Sequence, residues 1–194
     1  FNALPKKHQL LLAQRERARR NKARKFFTYF PDTGPLRREL YKRHLDFFRL
    51  GSVYSIRALM AANRVGKTEG GGGYEVTAHL TGRYPHWWEG ARFTEGVRTW
   101  AAGDTRQTTR DIIQQKLLGD FGSFGTGLIP GDDILKWSPL PGVPEAVGTV
   151  WVQHYDASGV TDGVSRLAFK SFDQGREAFQ GTEQEVIWLD EESD

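Results

Sequence analysis

The segment from Ala61 to Thr68 has the residue types and spacing of a loop that binds phosphate groups. It matches the pattern of Ala or Gly, four variable residues, Gly, Lys, and then Ser or Thr. Gly66 permits a tight turn, so backbone N–H groups can converge on an anion where a helix begins. Lys67 can reach the β- and γ-phosphates, and the Thr68 hydroxyl can bind magnesium. The residues predicted to bind the nucleotide are Ala62, Asn63, Arg64, Val65, Gly66, Lys67 and Thr68.

A second segment supplies acidic groups. Residues 185–190 have the composition of a fully buried parallel strand, with the apolar run Val186–Ile187–Trp188–Leu189, and the run ends in Asp190, Glu191 and Glu192. Ligands of open α/β sheets lie at the carboxyl ends of strands, so we expect Thr68 and Asp190 to hold Mg²⁺. Glu191 can then orient or deprotonate the attacking water. The alternative is that these acids cap the strand or begin a solvated helix. Together the two segments predict ATP hydrolysis.

These side chains need a strand before the loop and a helix after it. Residues 55–61 are short and apolar enough for a buried strand, and residues 68–80 can form the helix. Four consecutive glycines at 70–73 oppose that helix, because each helical Gly costs roughly 1 kcal/mol relative to Ala. Close packing of the glycines against the sheet or another subunit could compensate for this cost. The alternative is that the segment is a mobile loop.

Other patterns outline the rest of the fold. Residues 4–25 and 36–50 are predicted to be helices, separated by the break Pro31–Asp32–Thr33–Gly34–Pro35. The later segments are a strand at 97–102, a helix at 106–118, and a Gly- and Pro-rich irregular segment at 119–148. Two strands follow, at 149–155 and 165–172, and they could form a hairpin across residues 157–163. The expected fold is α/β of the P-loop NTPase class, with a mostly parallel central sheet and helices on both faces.

Charge is unevenly distributed along the 194 residues. Residues 1–50 hold 14 basic and 4 acidic side chains, a net charge of +10, whereas residues 51–194 carry a net charge of −7. We divide the chain accordingly into a basic helical segment, 1–50, and an ATPase domain, 51–194. The densest basic run, Arg15 to Lys25, suits a phosphate backbone, and equally a solvated helix face or a partner protein.

Composition sets further limits. The chain has no cysteine, which excludes disulfides and thiolate metal sites, and no apolar run approaches the roughly 18 residues of a membrane span. We therefore expect no membrane association. The first residue is Phe1, the single Met is Met60, and the sequence ends just after the acidic strand. We expect the chain to be part of a longer protein.

An ordered set of short motifs resembles the large subunit of tailed-bacteriophage terminases, the motors that package DNA. The motifs are His44–Leu45–Asp46–Phe47–Phe48, Ala62–Asn63–Arg64–Val65–Gly66–Lys67–Thr68–Glu69, His79–Leu80–Thr81–Gly82–Arg83–Tyr84–Pro85, Trp87–Trp88, Phe169–Lys170–Ser171–Phe172–Asp173–Gln174–Gly175–Arg176, Phe179–Gln180–Gly181–Thr182 and Trp188–Leu189–Asp190–Glu191–Glu192. The resemblance covers most of residues 36–192. It implies an amino-terminal ATPase domain with a catalytic Glu after the magnesium-binding Asp, and a carboxyl-terminal nuclease domain that this chain lacks.

The resemblance also implies partners and further site residues. The partners are double-stranded DNA, the portal protein and the small terminase subunit, in a homo-oligomeric ring at the procapsid portal in the host cytoplasm. An arginine stabilises the γ-phosphate charge in this family, and Arg64 in cis or Arg176 in trans could supply it. The family's arginine before the glycine that matches Gly181 is replaced here by Gln180. His44 could line the adenine pocket, or could be a packed helix residue.

Alternatives to the motor remain at this stage. Trp87 and Trp88 could stack on bases or belong to the core, and Arg106, Gln107 and Arg110 could contact the DNA backbone or form a solvated helix face. The same phosphate loop could serve a phosphotransferase. A docking module for nucleic acid or portal, clamped by nucleotide and without turnover, is the third alternative.

Overall fold

A computed structural model describes residues 8–12, 24–62 and 64–190 of the chain. Residues 8–12 are helical, but the rest of the helix predicted over 4–25 lies almost entirely outside the described residues, as does most of the basic run. Within the described ranges, the helices are too short or too polar to cross a lipid bilayer.

The segment before the phosphate loop is helical and aromatic. A 3₁₀ turn, Lys25–Thr28, is followed by turns at the predicted Pro31–Pro35 break. A second 3₁₀ turn, Arg38–Tyr41, leads directly into helix α1, Lys42–Leu50. This confirms the helix predicted over 36–50, except that its first turn is 3₁₀.

Helix α2 begins directly after the loop. It consists of a π-helical segment, Lys67–Gly73, and an α-helical segment, Tyr74–Thr81, and Gly82 ends it in the left-handed conformation at φ +69°. The helix predicted over 68–80 is confirmed, and the mobile-loop alternative is wrong. Three glycines of the run, Gly70, Gly71 and Gly73, are buried, which points to close packing as the compensating factor.

The strand predicted over residues 55–61 is wrong. This segment pairs with no strand among the described residues, and Ile56 and Met60 are 90% and 88% exposed. Its main anchor is the Arg57 guanidinium, which donates to the Phe47 carbonyl at 2.8 Å and to the Glu75 carboxylate at 3.0 Å. An apolar run becomes a strand only where a neighbouring backbone offers hydrogen bonds, and none is adjacent here.

A five-stranded sheet forms the centre of the molecule, in the order β2-β3-β4-β1-β5. The strands are β1 (Arg98–Gly103), β2 (Ile134–Pro139), β3 (Val147–Tyr155), β4 (Thr161–Ser171) and β5 (Val186–Leu189). Strand β1 is parallel to β4 and β5, whereas β3 is antiparallel to β2 and β4. The sheet is therefore mixed: β3 runs opposite to the other four strands, and two of the four pairings are antiparallel. The prediction of a mostly parallel sheet is confirmed only in part.

The antiparallel part arises from short connections, since strands joined by a tight turn must run in opposite directions. Strands β3 and β4 confirm the predicted hairpin. Strand β2 was missed, because it lies inside the Gly- and Pro-rich segment predicted to be irregular. Strand β1 is confirmed, and so is the predicted helix 106–118, here helix α3, which continues through Arg106–Thr108, Thr109–Gln114 and Gln115–Leu118.

Strand β5 is parallel, as predicted, but it is not fully buried. It pairs only with β1 among the described residues, and Ile187 and Leu189 are each 54% exposed. The opposite side chains, Val186 and Trp188, pack against the core. A parallel strand is buried on both faces only where other elements, usually helices, cover both faces of the sheet, and among the described residues α2 and α3 share one core cluster on one face.

The main core lies on one face of the sheet. Val150 and Leu167 from the sheet, Leu80 from α2 and Leu117 from α3 belong to a single buried cluster. Both α2 and α3 therefore pack on this face, and the prediction of helices on both faces is wrong for the described residues. A second cluster, formed by Phe26, Phe30, Phe48, Tyr74, Ala78 and Trp88, joins the amino-terminal segment and α1 to another side of α2.

Candidate functional site

The phosphate loop is open to solvent and ends where α2 begins. Gly66 has φ +85°, a left-handed conformation that a side chain would strain, and its carbonyl accepts hydrogen bonds from the Gly70 and Gly71 N–H groups. Arg64 also has a positive φ of +65°. Ala61, Ala62, Arg64, Val65 and Gly66 are exposed. The loop thus presents an accessible turn at the positive end of a helix dipole, as anion binding requires.

The Lys67 side chain folds back over this turn. Its Nζ atom donates to the Ala61 carbonyl at 2.6 Å, joining the two ends of the loop. A triphosphate in the loop would offer the ammonium stronger, charged acceptors. Lys67 would then exchange one hydrogen bond for others without reorganisation of the helix.

Thr68 and Asp190 bring the two predicted motifs together. The Thr68 hydroxyl donates to the Asp190 carboxylate at 3.1 Å, although 122 residues separate them in the sequence. Asp190 directly follows β5, and its N–H donates to the Ala102 carbonyl of β1 at 2.9 Å. Asp190 therefore lies at the carboxyl end of a parallel strand pair, the position predicted for a ligand site.

Thr68 and Asp190 fit a magnesium site in which most of the ligands are phosphate oxygens and water. Within the described ranges, no group of three or more His, Asp or Glu side chains could hold a metal ion. Mg²⁺ prefers octahedral oxygen ligands, and typically binds one or two protein groups together with phosphate oxygens and water. A hydroxyl and a carboxylate beside a phosphate loop match that donor set.

The glycines of α2 allow the helix to lie against β5. A Cβ at position 72 would be 2.2 Å from Nε1 of Trp188, and one at position 73 would be 3.0 Å from a methyl group of Leu128. Neither position can carry a side chain without displacement of the helix or its neighbours. The glycine run therefore sets the distance between the helix that starts at Lys67 and the strand that ends before Asp190.

Glu69, which the sequence reasoning did not single out, is the centre of an ionic cluster beside the loop. Its carboxylate accepts a hydrogen bond from the Tyr29 hydroxyl at 2.6 Å and forms ion pairs with Lys25 and with Lys116, the latter at 2.9 Å. Burial would raise the pKa of Glu69, but the hydrogen bonds from Lys25, Tyr29 and Lys116 outweigh it and lower the pKa to about 2. Burial and the Glu69 carboxylate raise the pKa of Tyr29.

No local pattern could have revealed this cluster, because its members come from three separate segments. It connects the 3₁₀ turn Lys25–Thr28, the first turn of α2 and helix α3. Two cations face one carboxylate, so the cluster leaves net positive charge next to the loop. That charge favours a phosphate ligand.

His44 lies against the inner side of the loop. A Cβ on Gly66 or Gly70 would be 3.7 Å from its Nε2 atom, and its ring contacts Phe30 and Tyr41. Burial lowers the pKa of the His44 imidazole, opposed in part by a hydrogen bond with the Gly66 backbone. A neutral, packed imidazole supports the turn. Its predicted role in an adenine pocket stays a prediction.

The arginine and glutamate candidates are less constrained. Arg64 and Arg176 are exposed, and neither forms an ion pair within the part of the chain that the structure describes. Arg176 starts a 3₁₀ turn, Arg176–Phe179, which follows β4. Asn63 and Glu191 lie outside the described residues. Their roles, and the choice between the two arginines, stay predictions.

Two further predicted groups have definite surroundings. Trp88 is a core residue, 4% exposed and stacked on Phe48, whereas Trp87 is half-buried with the Arg38 guanidinium over its ring. Nε of Arg106 lies 3.8 Å from a carboxylate oxygen of Asp173, and Nε of Arg110 lies 2.7 Å from one of Asp111. The core interpretation is therefore confirmed for Trp88, and Trp87 packs, partly buried, against the same cluster.

Comparison with known proteins identifies the family. Residues 58–193 match the family model described as terminase large subunit, T4likevirus-type, N-terminal. The chain belongs to the terminase large subunits. It is 37% identical over 167 residues to the large terminase subunit of Salmonella phage P22, a match that covers 78% of this chain.

The match includes both halves of the candidate site, because the loop, Thr68 and Asp190 all lie between residues 58 and 193. The chain spans about a third of the length of the P22 terminase subunit, 33% of which is covered. No solved structure matches the chain.

Proposed function

We propose that this chain is the ATP-hydrolysing motor domain of a phage terminase large subunit, which drives double-stranded DNA into a procapsid. The observation that carries the proposal is the 3.1 Å contact between Thr68 and Asp190, which joins the phosphate loop to the acidic strand. The family membership adds to it. Turnover by a motor needs a magnesium site next to a phosphate site. Thr68 is part of the phosphate loop, and its contact with Asp190 brings the two proposed magnesium ligands together.

In this proposal the residues divide the reaction among them. The N–H groups of the loop and Lys67 bind the phosphates of ATP, while Thr68 and Asp190 hold Mg²⁺, which supplies charge neutralisation at the β- and γ-phosphates. Glu191 orients the attacking water and accepts its proton. Glu191 is the residue after Asp190 in the sequence.

An arginine is also required for the charge that develops on the γ-phosphate. Arg64 could act within one subunit, and Arg176 could act on the neighbouring subunit of a ring. Mixing Lys67→Ala subunits with Arg176→Ala subunits distinguishes them. Partial recovery of hydrolysis in the mixture identifies Arg176 as acting in trans, whereas a complete loss in Arg64→Ala alone identifies the cis arginine.

The partners follow from the same proposal. The ring assembles on the portal protein of the procapsid in the host cytoplasm, and the small terminase subunit presents the DNA. The longer protein carries the nuclease domain that cuts the DNA. These assignments rest on the family and on the proposed motor activity.

The direct test is Mg²⁺-dependent ATP hydrolysis by the full-length protein and by its Lys67→Ala and Glu191→Ala variants. Lys67→Ala should lose binding of a fluorescent ATP analogue, while Glu191→Ala should bind the analogue but fail to hydrolyse ATP. Lys136→Ala, on strand β2, is the control and should behave as wild type. Normal hydrolysis by Glu191→Ala would contradict the proposal, and ADP release that depends on an acceptor molecule would indicate a phosphotransferase.

A further inference from the structure

A large cleft lies beside α2, and its lining extends from Tyr29 and Tyr74 to Gly82 and Arg83 at the carboxyl end of the helix. Its volume is about 530 Å³, and none of residues 61–68 lines it. The cleft lies within the size range of ligand sites, about 300–1,000 Å³. It is therefore a separate candidate site.

Aromatic rings paired with arginines dominate its walls. The Arg83 guanidinium lies 3.8 Å from the ring centroid of Tyr155, and the Arg92 guanidinium lies 5.1 Å from that of Tyr84. A third pair is formed by Arg38 and Trp87, at 5.3 Å. We call this the aromatic–arginine cleft, lined by Phe27, Arg38, Arg83, Trp87, Arg92 and Tyr155 among others.

The arginines keep hydrogen-bond donors for a ligand. Arg83 donates from Nε and Nη2 to the Asp133 carboxylate, both at 3.0 Å, and also interacts with the Tyr155 hydroxyl, so only part of its five-donor guanidinium remains for a ligand. Arg92 donates only from Nη2, to the Trp88 carbonyl at 3.0 Å, and it has no ion pair within the described ranges. Guanidinium N–H groups beside aromatic rings can bind a ligand that has an anionic group attached to a planar ring.

An exposed ring at the entrance adds a stacking surface. Phe27 lines the cleft with 51% of its surface exposed, and the Arg24 and Arg83 guanidinium groups lie 5.9 and 6.0 Å from its centroid. An aromatic side chain left half exposed between two cations is poorly placed for the core. It is well placed to stack on a planar ligand.

The sequence that leads into the cleft favours a polyanion. Seven basic residues lie between positions 15 and 25, and Phe26 and Phe27 follow immediately. A run of basic residues in the sequence, followed by aromatic residues that line the cleft, fits a chain of alternating phosphates and flat bases, that is, a nucleic acid. The strand must be unpaired, because the faces of paired bases are covered by their neighbours in a duplex.

We propose that the aromatic–arginine cleft binds an unpaired stretch of nucleic acid strand, with a base stacked on Phe27 and phosphates held by Arg83 and Arg92. This site goes beyond the ATP-driven movement of duplex DNA, and it does not depend on the phosphate loop. An acidic peptide is the competing occupant, and the test separates the two.

The test is fluorescence anisotropy of a labelled oligothymidylate with the full-length protein, beside a duplex of equal length and a labelled polyglutamate. Phe27→Ala should weaken oligothymidylate binding about tenfold, which lies within the usual contribution of one stacked base. Phe121→Ala is the matched control, because Phe121 is 49% exposed but lies outside the cleft, and it should leave the affinity unchanged.

Arg92→Gln gives a second readout. Loss of one phosphate contact should reduce the slope of log affinity against log salt by about 0.7 for a single strand. Lys67→Ala should bind the oligothymidylate as the wild type does. The cleft can therefore be tested even if the proposed ATPase activity is not found. The proposal is overturned if Phe27→Ala binds the oligothymidylate normally, if Lys67→Ala abolishes binding, or if the variants lose affinity for polyglutamate alone.

Discussion

Gly72 lies so close to the indole of Trp188 that a Cβ at position 72 would be 2.2 Å from Nε1. This contact joins α2, which carries Thr68, to β5, which leads to Asp190. The separation between helix and strand therefore determines whether the Thr68 hydroxyl reaches the Asp190 carboxylate, which it does at 3.1 Å. A residue that takes no part in the chemistry thus controls the geometry of the residues that do.

Gly72→Ala should therefore lower the free energy of unfolding, by about 1–3 kcal/mol, because the methyl group overpacks the contact with Trp188. Gly70→Ala is the matched control on the same helix. Its Cβ would meet only ordinary contacts of 3.7 Å or more, so the higher helix propensity of Ala should leave stability equal or increased. Urea denaturation measures both.

A second substitution tests the cause of that loss. Gly72→Ala combined with Trp188→Leu should recover part of the stability lost in Gly72→Ala, since the shorter side chain gives room for the methyl group. Strictly additive losses in the double variant would show that Trp188 is not the obstacle.

Thr68→Val should reduce Mg²⁺-dependent ATP hydrolysis by roughly 10–100-fold, the usual range for the loss of a group that orients a metal site. The isosteric methyl group keeps the packing but removes the hydroxyl. Thr68→Ser, which keeps the hydroxyl, should retain most of the activity. Equal activity in the Val and Ser variants, measured across a magnesium titration, would rule out a role in magnesium binding.

Glu69 should contribute stability that depends on pH. Its folded pKa of about 2 lies below the ordinary value of 4.5, so the contribution is fully present above about pH 5 and is lost as pH falls towards 2. Glu69→Gln should therefore be less stable than wild type at pH 6, and the difference should shrink below pH 4.5. Chemical denaturation at a series of pH values measures this difference.

The control for Glu69 is Glu177→Gln, since Glu177 is exposed and forms no ion pair within the described ranges. Its stability should follow that of the wild type at every pH. A gap between Glu69→Gln and wild type that stays constant down to pH 2.5 would contradict the ionic explanation. Packing alone would then account for the cluster.

Arg83→Met should destabilise the protein by about 3 kcal/mol, because it leaves the Asp133 carboxylate, 1% exposed, without its charged partner. The Tyr155 hydroxyl, which donates to the same carboxylate at 3.0 Å, would remain. Arg83→Met with Asp133→Leu should be more stable than Arg83→Met alone. Thermal unfolding of the single and double variants measures this difference. A double variant less stable than Arg83→Met would contradict the explanation.

Local patterns predicted much of the fold. The Gly66 turn and the helix after it, strand β1, helix α3 and the hairpin of β3 and β4 all follow from residue spacing and turn residues. The chemistry of a phosphate loop and an acidic strand is likewise visible in short segments, because each uses neighbouring residues. Their contact through Thr68 and Asp190 was expected from the order of strand ends in α/β sheets.

Long-range packing accounts for the remainder. Residues 55–61 and strand β5 are similarly apolar, yet only β5 has a strand beside it to share backbone hydrogen bonds. The cluster around Glu69 gathers Tyr29 and Lys116 from segments about 40 and 47 positions away, and no periodicity encodes such a meeting. Spacing along the chain specifies local conformation and residue chemistry, whereas the choice of neighbours depends on how the whole chain packs.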